Sequence, residues 1–215
     1  MPYSAAGLTV AERVQEARAL HACCSSGALA LDVQRTVRGH IYVSLFGMYE
    51  RCLTDCVLTA IYLANTMAIP TADMKHGFKL LALLPQFQGY RDCSSDRTWT
   101  RGRGILDSSG STIPGTLQPV VPKDGSFMRA SQLELVWELF GLVGDPWPHP
   151  RLKGRIDEIV SARNLIAHGE QAASVCGAQL SNAEMLTRID DFEALCVHMV
   201  AVFDSQLAAM SGFTK

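Results

Sequence analysis

An arginine, an asparagine and a histidine lie within six residues of one another and could together bind an anion. Arg163 is followed directly by Asn164, and His168 comes shortly after. On a helix, residues four apart lie on neighbouring turns of one face, so Asn164 and His168 could hydrogen-bond to each other or to one ligand. The guanidinium of Arg163 would supply the positive charge.

The surroundings of Arg163 make it unusual. On a helical wheel it lies in the middle of an apolar stripe that contains Ile156, Val160 and Ala167. Burial of an arginine without a partner is costly, because the charge loses its hydration. Arg163 must therefore pair with a carboxylate, face another subunit or line a cleft for an anion.

A second arginine–histidine pair of similar spacing occurs earlier, at Arg35 and His40. Short motifs of this kind arise by chance. Thr36 follows the arginine and Gly39 precedes the histidine, so this pair lacks the context of the first. We interpret it as a chance match.

Helical periodicity positions these residues in an all-α bundle of about five to six helices. Three Ser/Thr–Glu pairs resemble capping boxes, at Thr9–Glu12, Ser131–Glu134 and Ser181–Glu184. The candidate motif falls in the fifth helix, which Gly169 should end. The pattern predicts helices over 9–24, 33–65, 71–84 (stopped by Pro85), 131–142, 152–168 and 182–210.

The pattern fails over 86–126, which is rich in Gly, Ser, Pro, Thr and Asp. We expect a long irregular insertion there, with a possible short hairpin near 113–121. Bases could stack on Trp99 while nearby arginines hold phosphates. Asp92 and Asp96 dilute that charge, which favours a plain flexible loop over an RNA contact. The arginines are Arg91, Arg97, Arg101 and Arg103.

Composition limits the class of protein. The chain has 215 residues, 48% of them hydrophobic and 19% charged, with a formal net charge of −2. These values exclude a disordered chain, fit a single domain over 1–215, and argue against a generally basic nucleic-acid coat. Any contact with a nucleic acid should therefore be local.

Seven irregularly spaced cysteines favour a reduced, cytoplasmic protein over a disulfide framework. The first ten residues lack a secretory signal, and no segment approaches the roughly 20 apolar residues that span a bilayer. Cys52 and Cys56 could be half of a metal site, but no histidine or second pair completes it. We interpret them as core residues and predict no metal and no cofactor.

The string from Arg163 to Gly169 resembles the signature of HEPN-domain ribonucleases, an arginine, a polar residue and then a histidine. Its context is also similar to one bacterial subgroup of that family: Ile156 to Val160 leads into the motif, Tyr42 to Glu50 matches an aromatic-then-glutamate segment, and Ser131-Gln132-Leu133 resembles a Ser-Asn-Leu element. The resemblance covers about 33–210 and includes nothing in the insertion.

The resemblance implies a dimeric, metal-independent endoribonuclease in which the RNA 2′-OH attacks the adjacent phosphate. Such cleavage needs a base, an acid and a cation for the developing negative charge. His168 would be the acid or base, and Arg163 would bridge phosphate oxygens. Asn164 would orient either His168 or the phosphate. One motif has one histidine, so a two-fold dimer would bring two motifs into one cleft.

Glu50 lies at the edge of the long helix's apolar stripe. It either belongs to a solvated helix edge or contributes to substrate binding, by pairing with Arg163 or by holding another site residue. Two functions compete. The first is a toxin or phage-defence ribonuclease with an antitoxin or regulatory protein as partner, and the second is a non-catalytic HEPN module for dimerisation or as an adaptor. A metal-dependent enzyme is less favoured, because Glu170, the carboxylate near His168, follows Gly169.

Overall fold

The computed structural model describes residues 1–123 and 127–215. Over these residues the chain forms eight α-helices and no strand, which confirms the all-α prediction and exceeds the expected number of helices. Short 3₁₀ helices occur at Thr71–Asp73, Ser95–Arg97 and Met210–Gly212. The α-helices are α1 (Ser4–Ser25), α2 (Leu31–Thr66), α3 (His76–Arg91), α4 (Thr98–Ser109), α5 (Ala130–Phe140), α6 (Leu152–Ala167), α7 (Ala173–Gly177) and α8 (Asn182–Leu207).

Helix α2 is the centre of the bundle. Helices α1, α6, α7 and α8 all pack against it. Its buried face includes Leu45, Tyr49 and Leu53, which belong to one connected apolar cluster that extends from Tyr3 to Phe213. Burial of that surface is the main force that holds the helices together. None of the described helices is both long and apolar enough to cross a bilayer.

One of the three predicted capping boxes is present. Ser181 accepts from the backbone N–H of Glu184, and the Glu184 side chain accepts from the backbone N–H of Ser181. The capping boxes predicted at Thr9 and Ser131 are wrong, because α1 and α5 each begin before these residues. Thr9 lies inside α1 and donates to the carbonyl of Ala5, and Ser131 follows the first residue of α5.

Pro85 does not stop α3, which contradicts the prediction. A proline inside a helix has no N–H for the carbonyl four residues earlier, here that of Leu81. The backbone N–H of Gln118 donates to that carbonyl instead, at 3.3 Å. The helix therefore continues to Arg91 because a later segment satisfies the orphaned acceptor.

The predicted irregular insertion is largely helical over its described residues, 86–123. The predicted hairpin over 113–121 is not formed there. Residues 86–123 contain the end of α3 and all of α4. The segment after α4 pairs with Ile69 to Thr71, through Gly115 N–H to Ile69 O and Thr71 N–H to Ile113 O, both 3.2 Å. The Asn65 side chain accepts from the Leu117 N–H and donates to the Leu117 carbonyl. The last three residues of the predicted insertion, 124–126, lie outside the described residues.

Sequence reasoning also missed α7, which directly follows the motif. Its Gly177 lies against the backbone of α2, where an added Cβ would stand 1.9 Å from the Arg35 carbonyl oxygen. On the other side of this contact, a Cβ on Gly39 would stand 2.0 Å from the Ala173 carbonyl oxygen. Only glycine permits such a close approach. The chain that leaves the motif is therefore fastened to the central helix.

Candidate functional site

The motif occupies the last turn of α6, and Gly169 ends the helix as predicted. Gly169 has a φ of +71°, in the left-handed region that favours glycine. Its N–H donates to the Ile166 carbonyl at 3.1 Å, and the N–H of Glu170 donates to the Leu165 carbonyl at 2.9 Å. This is a Schellman motif. It places His168 at the helix C-cap.

Arg163 rests on an aromatic ring rather than on a carboxylate. Its guanidinium carbon lies 4.5 Å from the centroid of the Phe46 ring, a cation–π contact. One guanidinium nitrogen, Nη1, donates to Asn164 Oδ1 at 3.0 Å. No ion pair of Arg163 is found among the described residues. The half-buried guanidinium thus keeps donors that no acceptor in the described part of the chain satisfies.

The apolar stripe is buried within the chain over its first part, whereas Ala167 at its end is exposed. Ile156, Ile159 and Val160 are at most 2% exposed, in the core that α6 shares with α2. A subunit interface is therefore not needed to explain the buried part of this face. Of the three explanations for the arginine, a carboxylate partner is not found over 1–123 and 127–215, and the guanidinium rests on Phe46. A cleft for an anion remains consistent with the geometry.

His168 is exposed, and Asn164 is half-buried beside it. The backbone N–H of His168 donates to the Asn164 carbonyl at 2.9 Å. In the described structure the His168 imidazole makes no hydrogen bond, so the side-chain bond to Asn164, one of the two predicted possibilities, is not formed. Asn164 Oδ1 accepts from Arg163. Asn164 therefore orients the guanidinium, whereas the imidazole is free to meet a ligand.

Glu50 does not pair with Arg163. It lies on α2 one turn after Phe46 and is half-buried, but no ion pair or hydrogen bond of its carboxylate occurs within 1–123 and 127–215. The nearby Arg51 pairs with Asp55 at 2.8 Å instead. Glu50 is near the ring that carries Arg163 without being fixed in place.

The three residues proposed from the insertion lie on a different helix pair. Trp99, Arg101 and Arg103 are on α4, which packs on α3, whereas α6 packs mainly on α2. Trp99 is 88% exposed. Arg103 is exposed and lies 3.7 Å from Asp107. The described structure contains no hydrogen bond or ion pair that joins α4 to the motif.

The first half of α6 carries an ion-pair network that sequence reasoning missed. Glu158 accepts from Arg188 Nη2 at 3.1 Å, from Arg155 Nη1 at 3.0 Å and from the Tyr42 hydroxyl at 3.0 Å. Asp191 accepts from Arg151, and Arg155 lies 3.9 Å from its other oxygen. The spacing of Arg155 and Glu158 could have signalled a helical pair, but the partners on α2 and α8 come only from folding.

Burial defines the character of this network. The side chains of Arg188 and Asp191 are 7% and 5% exposed. Burial and the neighbouring Glu158 carboxylate raise the pKa of Tyr42 above its ordinary value. The network pairs three arginines with two carboxylates and connects α6 to α2 and α8. The network is therefore a structural feature rather than a ligand site.

Cys52 and Cys56 are core residues as predicted, but not every cysteine of the chain is buried. Cys52, Cys56 and Cys196 are buried together, and Cys52 Sγ contacts the Cys196 carbonyl at 3.7 Å. The pKa of Cys196 is raised by the contact with Cys52 and by burial. Cys23, however, is exposed and Cys93 is half-exposed. The seven thiols are all free.

These observations place one unusual arginine, its asparagine and an exposed histidine at the end of α6. Comparison of the chain with family models, with curated proteins and with solved structures found no match.

Proposed function

We propose that this chain is a metal-independent endoribonuclease of the HEPN type, with Arg163, Asn164 and His168 as its catalytic residues. The observation that carries the proposal is the state of Arg163. A half-buried guanidinium stacked on Phe46 at 4.5 Å, with no carboxylate partner among the described residues, has donors available for an anion. A phosphate group matches those donors because it can accept two parallel hydrogen bonds from one arginine.

The proposed chemistry gives each of the three side chains one role. The RNA 2′-oxygen attacks the adjacent phosphorus, the 5′-oxygen leaves with a proton, and the other product ends in a 2′,3′-cyclic phosphate. Arg163 stabilises the negative charge that develops on the phosphate. Asn164 holds the guanidinium in place, and the exposed imidazole of His168 moves a proton at the 2′-oxygen or the 5′-oxygen.

The reaction needs an acid and a base, whereas each chain contributes one motif histidine. A homodimer in which two α6 ends meet in one cleft supplies both groups. The exposure of His168 at the helix end supports this arrangement, because the imidazole is accessible to a second chain as well as to RNA. We expect specific activity to fall on dilution in step with the dimer fraction measured by sedimentation. Full activity of a purely monomeric population would contradict a composite site.

The decisive experiment measures cleavage of a mixed RNA pool by the wild type and by His168→Ala, with and without EDTA. Loss of a general acid or base should reduce the rate by about 100-fold to 10,000-fold. Cleavage by the wild type should be unchanged by the chelator. The matched control is His40→Ala, which removes the exposed histidine of the second arginine–histidine pair and should cleave at the wild-type rate. Cleavage that persists in His168→Ala would remove the assignment.

Biologically, such an enzyme would act in the cytoplasm as a growth-arresting toxin or a phage-defence effector, held in check by an antitoxin or regulatory protein. With a net charge of −2, it should bind RNA weakly outside its cleft and show a shallow dependence on salt. Trp99, Arg101 and Arg103 on α4 would then contact RNA away from the catalytic residues. Glu50 on α2 would contribute to substrate binding.

One observation favours the alternative of a non-catalytic dimerisation or adaptor module. The His168 imidazole has no hydrogen-bonding partner in the described structure, whereas a catalytic histidine is usually oriented by one. A folded dimer that cleaves no RNA in the experiment above, including RNA from the organism's own cytoplasm, would support this reading.

A further inference from the structure

A pocket of about 400 Å³ lies between α1 and α8, on residues that the motif does not use. This volume falls within the range of roughly 300–1,000 Å³ that is usual for small-molecule sites. Most of its lining is apolar, and it opens past Met1 and Val197, which are 90% and 56% exposed. The walls include Tyr3, Gly7, Val10, Cys196, Val200 and Asp204.

Asp204 is the single charged side chain in this lining. Its Oδ1 is buried and has no hydrogen-bond donor among the described residues. A buried carboxylate oxygen without a donor is unfavourable, and buried polar atoms in folded proteins nearly always have a partner. Asp204 Oδ1 is thus a hydrogen-bond acceptor in a mostly apolar pocket, and a bound ligand could provide the donor that the described residues do not.

The hydroxyls of Tyr3, Ser4 and Ser205 in the lining are already engaged with backbone carbonyls. The Tyr3 hydroxyl donates to the Leu207 carbonyl at 3.4 Å, and the Tyr3 ring packs edge-on against Phe203 at 5.8 Å between centroids. Burial raises the pKa of Tyr3, and charge on Cys56 and Asp204 raises it further, so the phenol stays protonated. Tyr3 therefore forms part of the wall and does not satisfy Asp204.

We propose that this pocket binds a small alkylamine. The hydrocarbon chain lies against Val10, Cys196 and Val200, and the ammonium group donates to Asp204 Oδ1. An ammonium satisfies the buried acceptor and also neutralises its charge, and such charge-assisted hydrogen bonds are roughly twice as strong as neutral ones. An alcohol of the same length supplies the donor without the charge, and a carboxylate is repelled. This site is independent of the ribonuclease proposal.

The experiment compares hexylamine, hexanol and hexanoate on the full chain, by calorimetry and by chemical-shift changes of α1 and α8 residues. We expect hexylamine to bind at least tenfold more tightly than hexanol and hexanoate not to bind. Asp204→Asn should reduce hexylamine to the affinity of hexanol, because the amide keeps the shape and loses the charge. Equal binding of hexanoate and hexylamine to the wild type would overturn the proposal.

A second variant tests the pocket without altering Asp204. A Cβ on Gly7 would lie 3.9 Å from Val200 Cγ1, an ordinary contact, so Gly7→Leu should fold and fill the space. We expect this variant to lose hexylamine binding. The matched control is Gly104→Leu on α4, where a Cβ meets nothing within 4 Å and binding should be unchanged. Wild-type affinity in Gly7→Leu would also overturn the proposal.

Discussion

The first half of α6 and its last turn both carry charged side chains, but the two regions engage them differently. In the first half, Arg155 and Glu158 pair with each other and with residues of α2 and α8. In the last turn, Arg163 has an aromatic ring below it and an asparagine beside it, and His168 faces solvent. One helix therefore combines charges that hold the fold together with charges that remain available.

The difference shows how to separate structural from functional charge. Buried charges that have opposite partners resist removal, because the loss of one leaves the other uncompensated. A charge that lacks such a partner contributes little to stability and keeps its donors for a ligand. Substitutions in the first half of α6 should therefore affect stability, and substitutions in the last turn should affect activity.

The largest effect on stability is expected from Arg188→Met. This change leaves Glu158 without the most buried of its arginine partners and should lower the free energy of unfolding by about 3 kcal/mol. Urea denaturation measures it. The control is Arg13→Met, which breaks an exposed pair with Glu16 and should cost less than about 1 kcal/mol. Equal costs for the two variants would remove the distinction between network and surface pairs.

Arg163→Lys should have the opposite profile. A lysine keeps the charge but lacks the planar fork, so cleavage should fall by about 100-fold. The free energy of unfolding should change by less than about 1 kcal/mol, the usual size of a cation–π contact. Cleavage rates and urea curves on one preparation test both statements. Arg35→Lys, the matched change in the second arginine–histidine pair, should alter neither; a large stability loss in Arg163→Lys would make that arginine structural.

Gly154 within α6 and Gly169 just after it should respond in opposite directions to substitution by alanine. Gly169→Ala forces a side chain into the left-handed conformation and should cost about 1 kcal/mol. Gly154→Ala, in the first half of the helix with open space around its Cβ, should gain up to about 1 kcal/mol. Thermal unfolding compares them. If Gly169→Ala is neutral, the conformation of the C-cap that positions His168 is not as described.

The smallest effect concerns alkaline pH. Because the pKa of Tyr42 is raised in the folded protein, the unfolded chain loses its phenol proton first as the pH exceeds about 10. Stability contributed by the protonated Tyr42 is thus fully present below that pH and is lost above it. Tyr42→Phe should show a shallower loss of stability between pH 9 and pH 11 than the wild type, measured by urea denaturation. Identical pH profiles would contradict the assignment.

Local signals predicted the long helices well and the connections poorly. Apolar periodicity located α1, α2, α5, α6 and α8, and Gly169 marked the end of α6, because both signals act within a few residues. Pro85 misled the prediction, since its lost hydrogen bond is replaced by Gln118 from a distant segment. Helices α4 and α7 were missed because one is rich in glycine, serine and threonine and the other has five residues.

For the candidate site, the sequence by itself determined the residue types, their order and their position at the end of a helix. It also identified Arg163 as an arginine on an apolar face. Only the tertiary structure decided what covers that face: Phe46 of α2 lies below the guanidinium, and Glu50 does not pair with it. Likewise, Arg188 and Asp191 complete the network on the first half of α6 from α8. The reason is physical, because helical periodicity depends on neighbouring residues, whereas the partner of a buried charge depends on which helices pack together.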